Sequence, residues 1–223
     1  MIKKMSKTLV EQTADQILEM IQDTYPTGSK LPTERELCEV TGAGRNSVRE
    51  ALKILASRNI VEIRQGSGTF VSAKKGVSDD PLGFSMITDR VKLTKDLLQV
   101  RVMIEPQIAE LAAQNASEQD INNLEQVLLE MESLMKNHKE YAELDDKFHI
   151  SIAKCTHNVV MENLIPVISS GVTVFAKEVE ETEYEKTLVS HRLIFEYIKN
   201  HKALEARNQM EYHLLYNMNR YNH

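Results

Sequence analysis

A chain of 223 residues, 27% charged and 42% hydrophobic, is long enough for two modest domains with separate cores. It contains no apolar run of about 18 residues, and its basic, polar start over Met1–Val10 is not a secretory signal, so no membrane span is expected and a cytoplasmic location is the default. The net charge of −6 is uneven: residues 1–75 hold 12 Lys and Arg against 9 Asp and Glu, the remainder 15 against 24, which places any nucleic-acid footprint near the N-terminus. Cys38 and Cys155 are far apart and read as reduced thiols, not as a disulfide or a cysteine metal site.

Val10, Ala14, Ile17, Leu18 and Ile21 recur at helical spacing, so an amphipathic helix is predicted over 9–24, ended by Pro26 and Gly28. Thr33 followed three residues later by Glu36 is a capping box, which starts a short helix running to about Val40. Gly42-Ala43-Gly44 breaks the chain, and a third helix over 45–57 buries Val48, Ala51, Leu52 and Leu55. After Asn59 the period changes: Ile60, Val61 and Ile63 form one strand, 65–68 a turn, and Thr69-Phe70-Val71 a second strand. Helix, helix, tight turn, helix and hairpin give a winged helix-turn-helix over 1–72. Residues 73–81 read as a linker, and 82–223 as helical, with helices at about 82–90, 94–115, 118–136, 138–155, 159–180, 183–199 and 202–220. Ser117 with Asp120 and Thr182 with Glu185 mark helix starts, and Pro106 kinks the helix that contains it. The expected fold class is mainly α: an N-terminal winged helix-turn-helix plus a C-terminal all-α antiparallel helical bundle.

A helix-turn-helix reads double-stranded DNA by laying its second helix in the major groove, N-terminal side chains on base edges. That helix opens Arg45-Asn46-Ser47-Val48-Arg49. Arg45 and Arg49 lie one turn apart, opposite Val48 and Leu52, and arginine donates two bonds to guanine O6 and N7. Asn46 and Ser47 can reach phosphates or adenine, Arg35 is placed for a backbone contact, and the Gln65-Gly66 tip of the wing can lie along the minor groove. The segments from Leu31 to Leu37 (LPTEREL), from Arg45 to Leu52 (RNSVREAL) and from Gly66 to Val71 (GSGTFV) resemble the signature of the GntR family of bacterial regulators over about residues 9–72. The resemblance implies DNA contacts at Arg35, Arg45, Arg49 and the wing tip. One position departs from it: where the family usually has Ser or Thr before the first recognition-helix arginine, this chain has Gly44, an acceptable N-cap without a hydroxyl.

Three of the seven histidines fall on apolar helical stripes. His149 lies with Leu144, Asp145, Phe148 and Ile152, His191 with Leu188, Phe195 and Ile198, and His213 with Met210, Leu214 and Asn217. Asp145 and His149, one turn apart, can ligate one ion. The break at Asn200-His201 folds the chain back so that His191 and His213 reach similar heights on an antiparallel pair. One carboxylate and three neutral imidazoles suit Zn²⁺ or Ni²⁺, leaving open positions that an organic acid can take. Arg101 shares a face with Leu97, Ile104 and Ile108, where a charge must be paired; either Glu105 pairs with it at i,i+4, or it grips a ligand carboxylate.

The segment Asp145–His149 (DDKFH), with His191–Phe195 and His213, also resembles the FCD sensor domain of the FadR subfamily of GntR regulators. The resemblance implies that Asp145, His149, His191 and His213 are metal ligands and that the signal is a small carboxylate: a hydroxy acid, sugar acid or dicarboxylate. The expected protein is not an enzyme, since no general base stands out beside the ion. It is a homodimeric repressor on a pseudo-palindromic operator, controlled by a small organic acid. The alternative is a metal-responsive repressor in which the ion itself is the signal.

Overall fold

A computed structural model describes residues 7–74, 76–78, 80–137, 139, 141–173 and 184–220, without the side chains of 170–173, 184 and 220. The chain divides into two compact units, Met1–Pro81 and Leu82–His223.

In the first unit the helices are α1 (Leu9–Thr24), α2 (Glu34–Thr41) and α3 (Arg45–Ser57), followed by strands β1 (Val61–Arg64) and β2 (Gly68–Val71). Both α1 and α2 begin in capping boxes, Thr8 with Glu11 and Thr33 with Glu36; each satisfies two N–H groups that an uncapped helix leaves open. The sequence reading found the second and missed the first. Gly42 ends α2 in the left-handed region at φ 68°, which a Cβ disfavours. The strands pair antiparallel, Val61 opposite Val71 and Arg64 opposite Gly68. Ser29–Leu31 also joins the wing: Leu31 N–H donates to Thr69 C=O at 2.8 Å and Val71 N–H to Ser29 C=O at 2.9 Å. Ile17, Leu37, Val48, Ala51 and Leu55 are fully enclosed in the core of this unit.

The second unit contains α4 (Arg90–Asn115), α5 (Glu118–Lys136), α6 (Ala142–Cys155), α7 (Val159–Thr173), α8 (Tyr184–Lys199) and α9 (Ala203–Arg220). Its central helix is α4, packed against α6, α7, α8 and α9. It buries Leu93, Leu97, Arg101, Glu105, Ile108 and Ala112, among others, as a helix enclosed on several sides must. The helix predicted over 82–90 does not form. Gly83 takes φ 68° and Ile87 an extended conformation, so only a single 3₁₀ turn, Phe84–Met86, fits between them, and Asp89 caps α4. The next helix therefore begins at Arg90, four residues before the predicted start. The predicted 138–155 helix starts later, at Ala142. The predicted end of the 159–180 helix, the Thr182 start, His138 and His223 lie outside the described residues. No helix among the described residues is long and apolar enough to cross a membrane.

Candidate functional site

On the first unit, the residues expected to touch DNA lie at the surface. Arg35, Arg45, Asn46, Arg49, Gln65 and Gly66 are exposed and Ser47 is half-buried. Val48, Ala51, Leu52 and Leu55 anchor the opposite face of α3, so the helix is held by packing while its arginine face stays in water. Gly44 is the N-cap of α3 and makes no side-chain cap bond. The tip of the wing turns at Gly66, φ 74°.

Sequence spacing did not reveal what Arg49 touches. Its Nε and Nη2 donate to the two carboxylate oxygens of Glu34, at 3.1 and 2.8 Å, across the junction between α2 and α3. This side-on pairing occupies one edge of the guanidinium and leaves Nη1 for another acceptor. The Arg49 hydrogen bond and charge also hold the Glu34 carboxyl below its ordinary range.

In the second unit, α6, α8 and α9 converge. Asp145, His149, His191 and His213 each present a ligand atom, and these atoms lie within 4.8 Å of one another. The ring centroids of His191 and His213 are 4.4 Å apart, and those of His149 and His213 5.4 Å. The three histidines are enclosed, while the Asp145 side chain keeps 22% exposure and is the least enclosed member of the cluster. Phe148 packs against His191 at 4.8 Å between centroids.

Burial, only partly offset by Asp145, lowers the pKa of His191; burial together with the charges of His191 and His149 lowers that of His213 much further. Both imidazoles are therefore neutral near neutral pH, the form that binds metals. Burial opposes ionisation of Asp145, but His191, His149 and His213 outweigh it and keep the carboxyl below its usual range. The neighbouring Asp146 is pushed up to about 7, by burial first and then by the Asp145 charge.

His149 Nε2 and both ring nitrogens of His191 are buried without a hydrogen-bond partner. His191 Nε2 lies 3.2 Å from Asp145 Oδ1 but out of line for a hydrogen bond. A buried, unsatisfied polar atom costs about 1–3 kcal/mol. A divalent cation relieves several such costs at once, and one carboxylate with three neutral imidazoles is a donor set that first-row ions prefer. The residues present therefore fit a metal ion.

Arg101 and Glu105 sit behind the cluster on α4, both almost fully enclosed. Glu105 takes two donors: Arg101 Nε at Oε1 and His149 Nδ1 at Oε2, each at 2.5 Å. Burial alone would raise the Glu105 carboxyl, but Arg101 and His149 bring it down to about 2, so it is an anion that only accepts. Of the two sequence readings of Arg101, the ion pair with Glu105 is present, and yet Arg101 Nη2 remains buried without a partner. The contact of Glu105 with His149 joins residues 44 apart in sequence and has no local signal.

Of the other histidines, His201 uses Nδ1 on the Ala113 carbonyl at 2.8 Å, and His157 Nε2 pairs with Asp120 at 2.9 Å. Both sit at positive φ beside helix ends, as structural residues of the bundle.

Two family models match the chain: bacterial regulatory proteins of the gntR family over residues 9–71, and the FCD domain over residues 96–216. The chain is 31% identical to the Uxu operon regulator of Haemophilus influenzae, over 96% of this chain and 83% of that one. It is 29% identical to the galactonate operon transcriptional repressor of Escherichia coli, over 82% of each. Among solved structures it is similar to a Streptococcus agalactiae GntR protein, with 40% identity, a TM-score of 0.85, and coverage of 94% of this chain and 99% of that one.

Proposed function

The chain belongs to the GntR family of bacterial DNA-binding transcriptional regulators and carries an FCD domain behind its winged helix, and from that premise we propose that it is a repressor released from its operator by a small carboxylate bound at a metal centre. The protein is a regulator and not an enzyme. In this reading it works in the cytoplasm as a homodimer on a pseudo-palindromic operator, each copy presenting one α3. Arg45 and Arg49 read base edges, Asn46 and Ser47 hold phosphate or adenine, Arg35 contacts the backbone, and Gln65 and Gly66 follow the minor groove.

The observation that carries the sensing half is the set of buried ring nitrogens without partners, beside an enclosed arginine with a free Nη2. Asp145, His149, His191 and His213 would hold Zn²⁺ or Ni²⁺, and the ion supplies concentrated positive charge to an anionic ligand. Arg101 Nη2 donates to the carboxylate of that ligand. Glu105 neutralises Arg101 within the protein, and Phe148 and the bundle core keep water from the inner side of the cluster. The relative named for galactonate, itself a sugar acid, supports a carboxylate as the signal class.

Control requires that the effector bind the two states of the regulator with different affinity, by about 1–3 kcal/mol for a typical coupling. The test is fluorescence-anisotropy titration of the protein on its operator with small hydroxy and sugar acids, each with and without chelator. The expected result is release by one acid, lost when the metal is removed. Release by the metal alone, indifferent to every acid, would instead support the ion as the signal.

A further inference from the structure

We propose that Glu105 is the positioning residue of the sensor site: by accepting from Arg101 and His149 at once, it fixes the ring tautomer that makes His149 a metal ligand while holding Arg101 with Nη2 free. The proposal rests on the metal-centre reading above and deepens it.

Arg101, Glu105 and His149 come from two helices, and their side chains are at most 4% exposed. No solvent is available to satisfy a mismatched group, so each contact must be complementary. The Arg101 guanidinium has only donors, and the Glu105 carboxylate has only acceptors. His149 Nδ1, 2.5 Å from Glu105 Oε2, must therefore carry its proton. In a neutral ring the lone pair is then on Nε2, the nitrogen that is buried without a partner and faces Asp145 at 3.8 Å. The tautomer that matches Glu105 is thus the tautomer that can ligate. A carboxylate behind a ligating histidine orients the ring in this way, and losing it costs about 10–100-fold in metal affinity.

Arg101 makes the proposal sharper, because Glu105→Gln leaves one acceptor oxygen for two donors. Arginine stays protonated and cannot change, whereas an imidazole can exchange tautomers. The amide oxygen of the variant therefore turns to Arg101, and its NH₂ faces His149 Nδ1. His149 answers by moving its proton to Nε2, and the ligating lone pair is lost. In the double variant Arg101→Met with Glu105→Gln the competing donor is gone. The amide oxygen is then free to accept from His149, and the ligating tautomer returns.

The experiment uses the full-length protein with Ni²⁺ alone as the probe. Two-bond ¹H–¹⁵N correlations of the metal-free protein report the His149 tautomer, and competition with a chromophoric chelator reports affinity. The wild type is expected to show the Nδ1–H form. Glu105→Gln is expected to show the Nε2–H form and bind Ni²⁺ about 10–100-fold more weakly. The double variant is expected to regain the Nδ1–H form and most of the affinity. An unchanged tautomer in Glu105→Gln overturns the proposal, as does a double variant no better than the single one. Thermal unfolding of each variant identifies any that merely fails to fold, and the wild-type tautomer then decides alone, an Nε2–H ring overturning the proposal. A wild type that takes up no Ni²⁺ or Zn²⁺ overturns the metal centre and with it the proposal, whereas a wild type that binds Ni²⁺ but shows the Nε2–H tautomer overturns the role of Glu105 alone.

Discussion

The two units of this regulator handle charge in opposite ways. In the DNA-reading unit Arg35, Arg45 and Arg49 stand in water on a helix pair secured from behind by Leu37, Val48 and Leu55, and the ion pairs of Arg35 with Glu39 and of Arg49 with Glu34 are surface pairs. Such pairs add at most about 1 kcal/mol. The same arginines stay available because little is gained by keeping them paired. In the sensor unit Arg101, Glu105, His149, His191 and His213 are enclosed in an apolar bundle, where each charge needs a matched partner and each unmatched atom is a cost. A surface that must meet DNA is cheap to build and depends on placement. An enclosed polar cluster is costly to build, and the hydrogen-bonding capacity it leaves unmet, as at His149 Nε2 and His191, is what a ligand could satisfy.

Five measurements can break or sharpen this contrast. The largest effect is expected from Phe148→Ala, which removes a fully enclosed ring packed on His191. It should cost about 3–5 kcal/mol of sensor-unit stability in chemical denaturation; a loss under about 1 kcal/mol would mean that the pocket is not rigidly packed. Loading the wild type with Ni²⁺ at about 100 times its Kd should add about 2.7 kcal/mol. In a chain of this size that raises the transition by about 2–4 °C per kcal/mol, and chelator should reverse it. No shift would mean that the unpartnered nitrogens are not a metal site.

On the reading unit, Arg49→Ala should weaken operator binding by about 1–3 kcal/mol and relax preference at one base pair. Loss of affinity without loss of discrimination would reduce Arg49 to a phosphate contact. Thr33→Ala removes the cap of α2 and should cost about 1 kcal/mol of stability, read from thermal unfolding. The smallest effect is expected from Gly44→Ser. At φ −69° with nothing within 4 Å of an added Cβ, serine fits and supplies the missing cap bond. It should stabilise α3 by a few tenths of a kcal/mol, and a destabilised variant would show that Gly44 is there for close approach of its backbone to a partner.

Much of the fold was legible because its signals are local. Thr33 with Glu36 and Ser117 with Asp120 act over three residues, and the structure starts α2 and α5 where those pairs stand. The helix at 45–57 followed from apolar residues three and four apart. The segment 82–90 was misread because apolar residues there suggest a helix, while the backbone of Gly83 and the cap at Asp89 decide otherwise. The pairing of Ser29–Leu31 with the wing was missed because a strand partner some 40 residues away leaves no periodic trace. For the sensor site, three histidines on apolar stripes could be read from spacing, and the structure brings them together with Asp145.

The sequence by itself determined which residues line each helix face, where most helices begin, and that a DNA-reading unit precedes a helical one, because i,i+3 and i,i+4 relations are properties of a single segment. Only the tertiary structure decided that Glu34 grips Arg49 and that Glu105, which the i,i+4 spacing already offered to Arg101, also holds His149. These partners come from different helices, and whether a buried donor meets an acceptor depends on how those helices pack, which no local spacing encodes.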